Sequence, residues 1–328
     1  MMGYSDAQGD LAFREAIIKM LNHKRGMALT TKHLCVTRGS QMALYLVACC
    51  LLGKDDAVVV ENPGYKPAWK AFEKTGAELL PIAMEADGMN LTELKAYLKM
   101  GKKIKALYTT PHHHFPTTVS LSLQKRMELI SLSNQYGFTI IEDDYDHEFH
   151  FGARPLQPIG SLLAVENYVY IGTLSKIVSP ALRIGYVATQ LDLIDRIVGL
   201  RKIIDVQGDN IMEQAVLELI NDGSIKKHLN KATLLYDKKK DLFDKIIKKH
   251  LNDQVIYTKP DGGLAFWLVP KQQTDLFQVA AHLEKKGIQM LTPDKFSFSE
   301  PIMGLRLGYA SLTEEQLEEG ILEIGKLL

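Results

Sequence analysis

Cysteine is scarce in this chain, with three residues in 328. They stand in apolar settings, Leu34-Cys35-Val36 and Ala48-Cys49-Cys50-Leu51. An odd count without metal-ligand spacing excludes a disulfide framework and a cysteine-based zinc site. The three read as buried thiols of a cytoplasmic protein. Long apolar runs are missing as well. None approaches the roughly 18 residues that a membrane span needs, and no signal peptide opens the chain. Neither sign of charge is in excess, since 39 lysines and arginines face 39 aspartates and glutamates. No overall field therefore draws the chain to nucleic acid or to a membrane. The lysine-rich stretches 99–105 and 238–240 fall on helix-like segments and read as solvated faces.

What is present is an ordinary globular composition, 46% hydrophobic and 24% charged. The length exceeds the roughly 250–300 residues at which a single core stops growing, so two domains are expected. Short β-branched and apolar runs at residues 34–37, 57–61, 79–82, 104–109, 138–145, 168–171 and 184–188 alternate with helical patterns. This alternation predicts an α/β fold with a mostly parallel, helix-covered sheet. Farther on, Leu229, Ala232, Tyr236, Phe243 and Ile247 line one face of a long amphipathic helix. Strands are expected again at 255–258, 264–269 and 304–308. The last helix opens with a capping box, Thr313 to Gln316.

The chemistry gathers at strand ends. Gly172 closes the strand at 168–171 and leaves Thr173, Ser175 and Lys176 on a loop at its carboxyl end. That edge is where open α/β sheets bind ligands. Arg183 follows seven residues after the lysine. Two hydroxyls, a guanidinium and an amine on one rim suit a phosphate beside a group that reacts with an amine. A lone lysine is ordinarily solvated surface charge, so a second element has to decide. The strand at 138–145 brings Asp143, Asp144 and Tyr145 to the same kind of rim. Adjacent aspartates repel, and a cationic ring nitrogen would partner one of them. A Schiff-base lysine with an acidic partner for a pyridinium nitrogen is the signature of pyridoxal phosphate. Gly39 and Ser40 open a helix whose free N–H groups favour an anion, although Ser40 serves equally as a plain N-cap. Tyr65, just past Asn62-Pro63-Gly64, either packs or stacks on a flat ring. Arg306 lies on the strand at 304–308, where a rim ion pair is the simplest role.

These motifs, spread from Gly3 to the C-terminus, resemble those of fold-type I pyridoxal-phosphate-dependent aminotransferases. Within them the chain is most similar to the aminotransferase-like domain of MocR-type regulators of the GntR superfamily. The resemblance implies a large domain at 1–235, a smaller C-terminal α/β domain at 236–328, and pyridoxal 5'-phosphate as cofactor. It assigns Lys176 the Schiff base and the movement of the α-proton, and Asp143 the pyridinium nitrogen. Tyr145 then meets the phenolic oxygen and Tyr65 stacks on the ring. Ser40, Gln41, Thr173, Ser175 and Arg183 hold the phosphate. Tyr4 and Gly9 keep the family spacing by which such a tyrosine reaches the phosphate of the other subunit, which implies a homodimer. Arg306 becomes a clamp on the substrate α-carboxylate, a task that suits its planar fork.

The stretch Thr110-Pro111-His112-His113-His114-Phe115-Pro116-Thr117-Thr118 carries three histidines in a row. Adjacent side chains splay apart and no Glu or Cys stands at ligand spacing, so no metal is expected there. The stretch resembles the family's Ser-His-Gln-Phe-Pro-Thr-Gly, with His114 for Gln and Thr118 for the last Gly. The asparagine that touches the phenolic oxygen in ordinary aminotransferases has no counterpart, and that contact stays unassigned. Two functions remain open. One is transfer of an amino group from an amino acid to a 2-oxo acid; the other is an effector domain that senses pyridoxal phosphate and an amine with little turnover. Only three residues precede Tyr4, so a winged helix and an N-terminal arm are expected to be absent. This chain alone is then not expected to bind nucleic acid. The amino donor is not legible.

Overall fold

The structure, a computed structural model, describes residues 5–152, 156–162 and 164–328. Tyr4 lies outside the described residues. Among those described, eight strands form one sheet: β1 (Leu34–Thr37), β2 (Ala57–Asn62), β3 (Glu78–Glu85), β4 (Gly88–Met89), β5 (Ile104–Thr109), β6 (Thr139–Asp144), β7 (Tyr168–Thr173) and β8 (Gly185–Thr189). Their order is β1-β8-β7-β6-β5-β2-β3-β4. Strands β7, β6, β5, β2 and β3 run parallel, as the alternating pattern predicts. The β7–β8 and β1–β8 pairs are antiparallel. Eleven residues separate β7 from β8, too few for the crossover that a parallel pairing needs.

Strands β2, β5, β6 and β7 are buried on both faces, which explains their runs of apolar residues without alternation, whereas β3 is only partly buried. On one face α2 (Ser40–Leu51), α3 (Lys66–Glu73) and α6 (Leu191–Ile204) pack Leu46, Val47, Phe72 and Ile197 against Val60 and Ile171. On the other, α4 (Leu91–Lys99) and α5 (Leu123–Tyr136) pack Leu94, Leu129 and Ile130 against Val59 and Ile140. The first helix, α1 (Leu11–Arg25), meets α7 (Asn210–Asn221) and the start of α8 (Ser224–Leu251) over Phe13, Leu174 and Ile177.

Helix α8 is continuous across residue 235. Its early turns bury Leu229 and Ala232 with α1 and α7. Its later turns bury Phe243, Ile247 and Leu251 beneath a second sheet of β9 (Val255–Tyr257), β10 (Ala265–Pro270) and β11 (Leu305–Gly308), in the order β11-β10-β9. Two further helices, α9 (Leu276–Glu284) and α10 (Glu314–Gly325), cover this sheet with Leu276, Leu283, Leu317 and Ile321. The capping box forms as read: Gln316 N donates to Thr313 Oγ1, and Thr313 N donates to Gln316 Oε1. Each such cap contributes about 1 kcal/mol.

Two expectations need correction. Cys35 is buried, but Cys49 is exposed and Cys50 half-buried, because α2 turns that flank outward together with exposed Tyr45 one turn earlier. Lys240 is buried rather than solvated; its ammonium pairs with Asp237 at 2.9 Å and lies over the Phe151 ring. Among the described residues no helix is long and apolar enough to cross a membrane.

Candidate active site

The reversed strand β8 determines the shape of the site. Because β8 runs against both neighbours, β1 and β7 end at the same rim, with Thr37 and Thr173 each opposite Gly185. The rim therefore holds the N-terminus of α2, the loop with Lys176, and Arg183 at the entry to β8. A Cβ on Gly185 would lie 2.5 Å from the Gly39 carbonyl carbon, so only glycine lets the rim close. Gly39 itself has φ 77° and abuts Arg183; a Cβ there would meet Nη2 at 2.6 Å. A guanidinium is thus pressed against the start of a helix that has no side-chain cap. Both groups are donors that favour an anion. Among the described residues Arg183 makes no hydrogen bond or ion pair, and neither does the exposed Lys176.

The hydroxyls around Lys176 are more committed than the sequence implies. Thr173 Oγ1 donates to the Ile184 carbonyl at 3.1 Å and accepts from Ser175 N. Thr173 thus holds the lysine loop against the β8 entry. Gln41 Nε2 donates to the Pro67 carbonyl at 2.9 Å, which leaves its backbone N–H on the first turn of α2.

Next along the rim, β6 delivers Asp143. Its Oδ2 accepts a hydrogen bond from Tyr108 Oη at 2.8 Å, while Oδ1 is buried without a partner. Burial, reinforced by Asp144 and Asp146 against the Tyr108 bond, pushes the Asp143 carboxyl up to about 7. A buried carboxyl with one bare oxygen is poised for a cationic N–H donor, which would restore its ionised form. Tyr108 had no signal in the sequence, since a tyrosine inside a buried strand reads as packing.

Tyr65 flanks the same space. Burial raises its pKa, Asp143 adds to the effect and Arg183 opposes it, so the ring lies within the fields of both. Phe115 stands edge-on to Tyr65, with centroids 5.4 Å apart, and lies 4.9 Å beneath the Arg306 guanidinium. Arg306 projects from β11 and donates to the Pro116 carbonyl at 2.9 Å and to Tyr145 Oη at 3.4 Å. Tyr145 Oη in turn donates to the His113 carbonyl at 2.7 Å. Strand β11 therefore reaches the rim of the large sheet through Arg306. The three histidines do splay: Nδ1 of His113 donates to Asp146 at 2.8 Å, His112 meets Asp144 and Glu142, and His114 meets Glu61 and Thr117.

These groups fit pyridoxal phosphate. The bare Asp143 oxygen suits a protonated ring nitrogen, the unpaired Arg183 against the α2 terminus suits a phosphate, and Lys176 offers an amine at the same rim. Comparison with known proteins agrees. Residues 1–324 match the family model for aminotransferase class I and II. The chain belongs to the class I and II aminotransferases. It is 27% identical to aromatic-amino-acid aminotransferase 1 of Thermococcus litoralis over 99% of this chain and 79% of that protein. It is 26% identical to the probable rhizopine catabolism regulatory protein MocR of Rhizobium meliloti, over 98% of this chain and 64% of the regulator. Kynurenine aminotransferase of Pyrococcus horikoshii superposes with a TM-score of 0.92 at 26% identity, covering 99% of this chain and 82% of that structure. As a fold-type I aminotransferase, the chain uses pyridoxal 5'-phosphate to transfer an amino group.

Proposed function

We propose that the rim between β1, β7 and β6 holds pyridoxal phosphate, and that the roles divide as follows. Lys176 Nζ is the amine that carries the cofactor, and it takes and returns the substrate α-proton. Asp143 Oδ1 keeps the proton on the ring nitrogen. Bound pyridoxal phosphate supplies the electron sink for the charge left at the α-carbon. Arg183, the N–H groups of Ser40 and Gln41, and the Ser175 hydroxyl hold the phosphate, while Thr173 shapes the loop beneath it. Tyr65 stacks on the ring, and Tyr145 serves its phenolic oxygen by turning its hydroxyl from the His113 carbonyl. Arg306 binds the α-carboxylate, exchanging the Pro116 carbonyl for a stronger, charge-assisted partner. The observation that carries this reading is the pairing of a bare buried Asp143 oxygen with an unpaired Arg183 at a helix start, one rim apart from a free lysine.

We further assign residues 1–235 to a large domain and 236–328 to a small one, in a cytoplasmic homodimer. In that dimer Tyr4 of the partner subunit reaches the phosphate. The expected result is a dimer by sedimentation whose cofactor loss accelerates in Tyr4→Phe without a change in melting temperature. A monomer that retains all its cofactor on dilution would remove the assignment.

Aromatic amino acids are the proposed donors and 2-oxo acids the acceptors, supported by the names of the Thermococcus and Pyrococcus relatives. A second reading, that of an amine-sensing domain, is favoured by the match to the MocR regulator and to four helix-turn-helix regulators of Bacillus subtilis. A screen of amino acids with 2-oxoglutarate separates the two. Addition of a donor is expected to shift the cofactor spectrum, with turnover below the typical rate of about 10 per second. Repeated turnover supports the enzyme, a shift without turnover supports the sensor, and no shift with any amine would overturn both.

A further inference from the structure

Behind the cofactor rim lies a second cluster that none of these roles uses. Successive residues of a strand face opposite sides, so Asp144 points away from the side that Asp143 serves. There it meets His112, from the loop after β5, and His147, three residues farther along. One ligand atom from each of the three lies within 4.8 Å of the others, and all three residues are buried.

The hydrogen-bond inventory shows what the cluster lacks. His112 Nε2 lies 2.7 Å from the Leu156 carbonyl, which can only accept, so this nitrogen carries the ring proton. His112 Nδ1 is therefore a bare lone pair. It faces Glu142 Oε1 at 3.6 Å and Asp144 Oδ2 at 3.8 Å. His147 Nδ1 lies 3.2 Å from Asp144 Oδ2. Four buried atoms, His112 Nδ1, His147 Nδ1, Asp144 Oδ1 and Glu142 Oε1, have no hydrogen-bond partner among the described residues. The remaining carboxylate oxygens are occupied: Tyr170 Oη donates to Asp144 Oδ2, and Ile159 N and Tyr168 Oη donate to Glu142 Oε2.

Lone pairs turned toward one another need a cation between them, and the spacing distinguishes which kind. A proton bridges nitrogen and oxygen at about 2.7–3.2 Å. The 3.2 Å contact of His147 with Asp144 is within reach of a proton, but the 3.6 and 3.8 Å gaps at His112 are too wide for it. A metal ion with bonds of about 2.0–2.2 Å spans gaps of about 3.3–3.6 Å in a tetrahedral shell. The gaps at His112 close to that spacing with small side-chain rotations. Metal-bound histidines typically donate their other N–H to a backbone carbonyl, as His112 does to Leu156. Among the described residues one cation reaches the cluster: Arg25 Nη1 lies 3.9 Å from Asp144 Oδ2, the oxygen that Tyr170 already occupies, and its other bonds go to Glu148 at 2.5 Å and to Tyr186. Arg126 is held by the carbonyls of Leu121, Gln157 and Pro111, and neither guanidinium forms an ion pair with Glu142.

We propose that His112, His147, Asp144 and Glu142 form a structural site for one divalent transition-metal ion, with zinc the best match. Two imidazole nitrogens and two carboxylates make a zinc-like set. With four protein ligands and full burial the site keeps no open position, so its role is to brace rather than to catalyse. It ties the loop after β5 to the end of β6, one residue from Asp143. The sequence conceals it because the ligands are spread over residues 112–147 and only Asp144 and His147 share helix-like spacing.

The test uses the full chain with its cofactor, purified without chelator or affinity-tag metal. Elemental analysis is expected to find close to one zinc per chain. Stripped protein should regain about 5 °C in melting temperature when zinc is restored to a hundredfold excess over its Kd. His112→Ser and His147→Ser should each lose the metal and that rise. If these variants fail to fold, cobalt(II) in the wild-type protein gives the answer: a tetrahedral visible spectrum without thiolate charge transfer supports the site. Thiolate bands would place the ion at Cys49 and Cys50 and overturn it. So would wild-type protein with neither metal nor a response to zinc or cobalt, or folded serine variants that keep the ion.

Discussion

Lys176→Ala is expected to lose the covalent aldimine with its cofactor, to bind that cofactor only reversibly, and to transaminate about two to four orders of magnitude more slowly. The size of this effect follows from the amine's position. Lys176 stands at the strand-end rim with Arg183 and Asp143, and among the described residues its amine has no competing partner. Its side chain is exposed, so truncation should change stability by no more than about 0.5 kcal/mol. Loss of activity with an unchanged melting temperature is the expected combination. Borohydride reduction of the wild type followed by peptide mapping provides the decisive check. A label on any lysine other than Lys176 would withdraw the assignment.

Asp143→Ala is expected to lower cofactor affinity or turnover by two to three orders of magnitude. Breaking a buried ion pair by removing one partner costs about 3–5 kcal/mol, and each tenfold corresponds to about 1.4 kcal/mol. Wild-type behaviour in this variant would withdraw the role from Asp143. Asp143 also predicts a pH dependence in protein stripped of cofactor. Its folded-state value, about 7, lies above the ordinary 3.8, so between those values the folded protein holds a proton that the unfolded chain releases. The stabilisation is complete below the ordinary value and is lost as pH rises through 7. Asp143→Asn removes this dependence. Relative to stripped wild type, the asparagine variant should therefore gain stability from pH 5 to pH 8, by an amount on the order of a few kcal/mol. Glu142, also raised to about 7 by burial, titrates in both proteins and cancels in the difference, while Glu61, raised to about 7 by burial with a further push from Asp143, adds a smaller contribution of the same sign. Parallel melting curves at the two pH values would show that Asp143 keeps an ordinary pKa.

Much of this architecture was legible because the buried strands are short β-branched runs with turn residues at their ends. Residues 104–109 form β5 as read, and the 168–171 run extends only to Thr173. The direction of β8 was not legible, since a run of apolar residues reads the same in either orientation. That direction nevertheless decides that Gly39, Lys176 and Arg183 share a rim. The ends of strands pointed to Lys176, Asp143 and Arg183, but the commitments of their neighbours lie in tertiary contacts. Thr173 spends its proton on Ile184, Tyr108 grips Asp143 across 35 residues, and Arg306 meets Tyr145 across 161. In the sequence His112 stands beside His113 and His114. In space its neighbours are Asp144 and His147, because consecutive loop side chains diverge.

Helix α8 turns the C-terminal sheet into the far end of a lever. About fifteen residues of it extend past Tyr236, a length of about 22 Å at 1.5 Å per residue. A tilt of about 10° at that point would sweep the distal end through about 4 Å. The later turns of α8 pack directly beneath β10 and β11, so such a tilt would carry Arg306 with them. Among the described residues Arg306 is tethered to the large sheet by two hydrogen bonds and the Phe115 face, beside the backbone bonds of Phe296 to Gly64 and of Gly263 to Phe149. A carboxylate that outbids the Pro116 carbonyl for that guanidinium would thus pull on the long arm of the lever. Small repacking of Leu229 and Ala232 at its base would then set how wide the cleft stands.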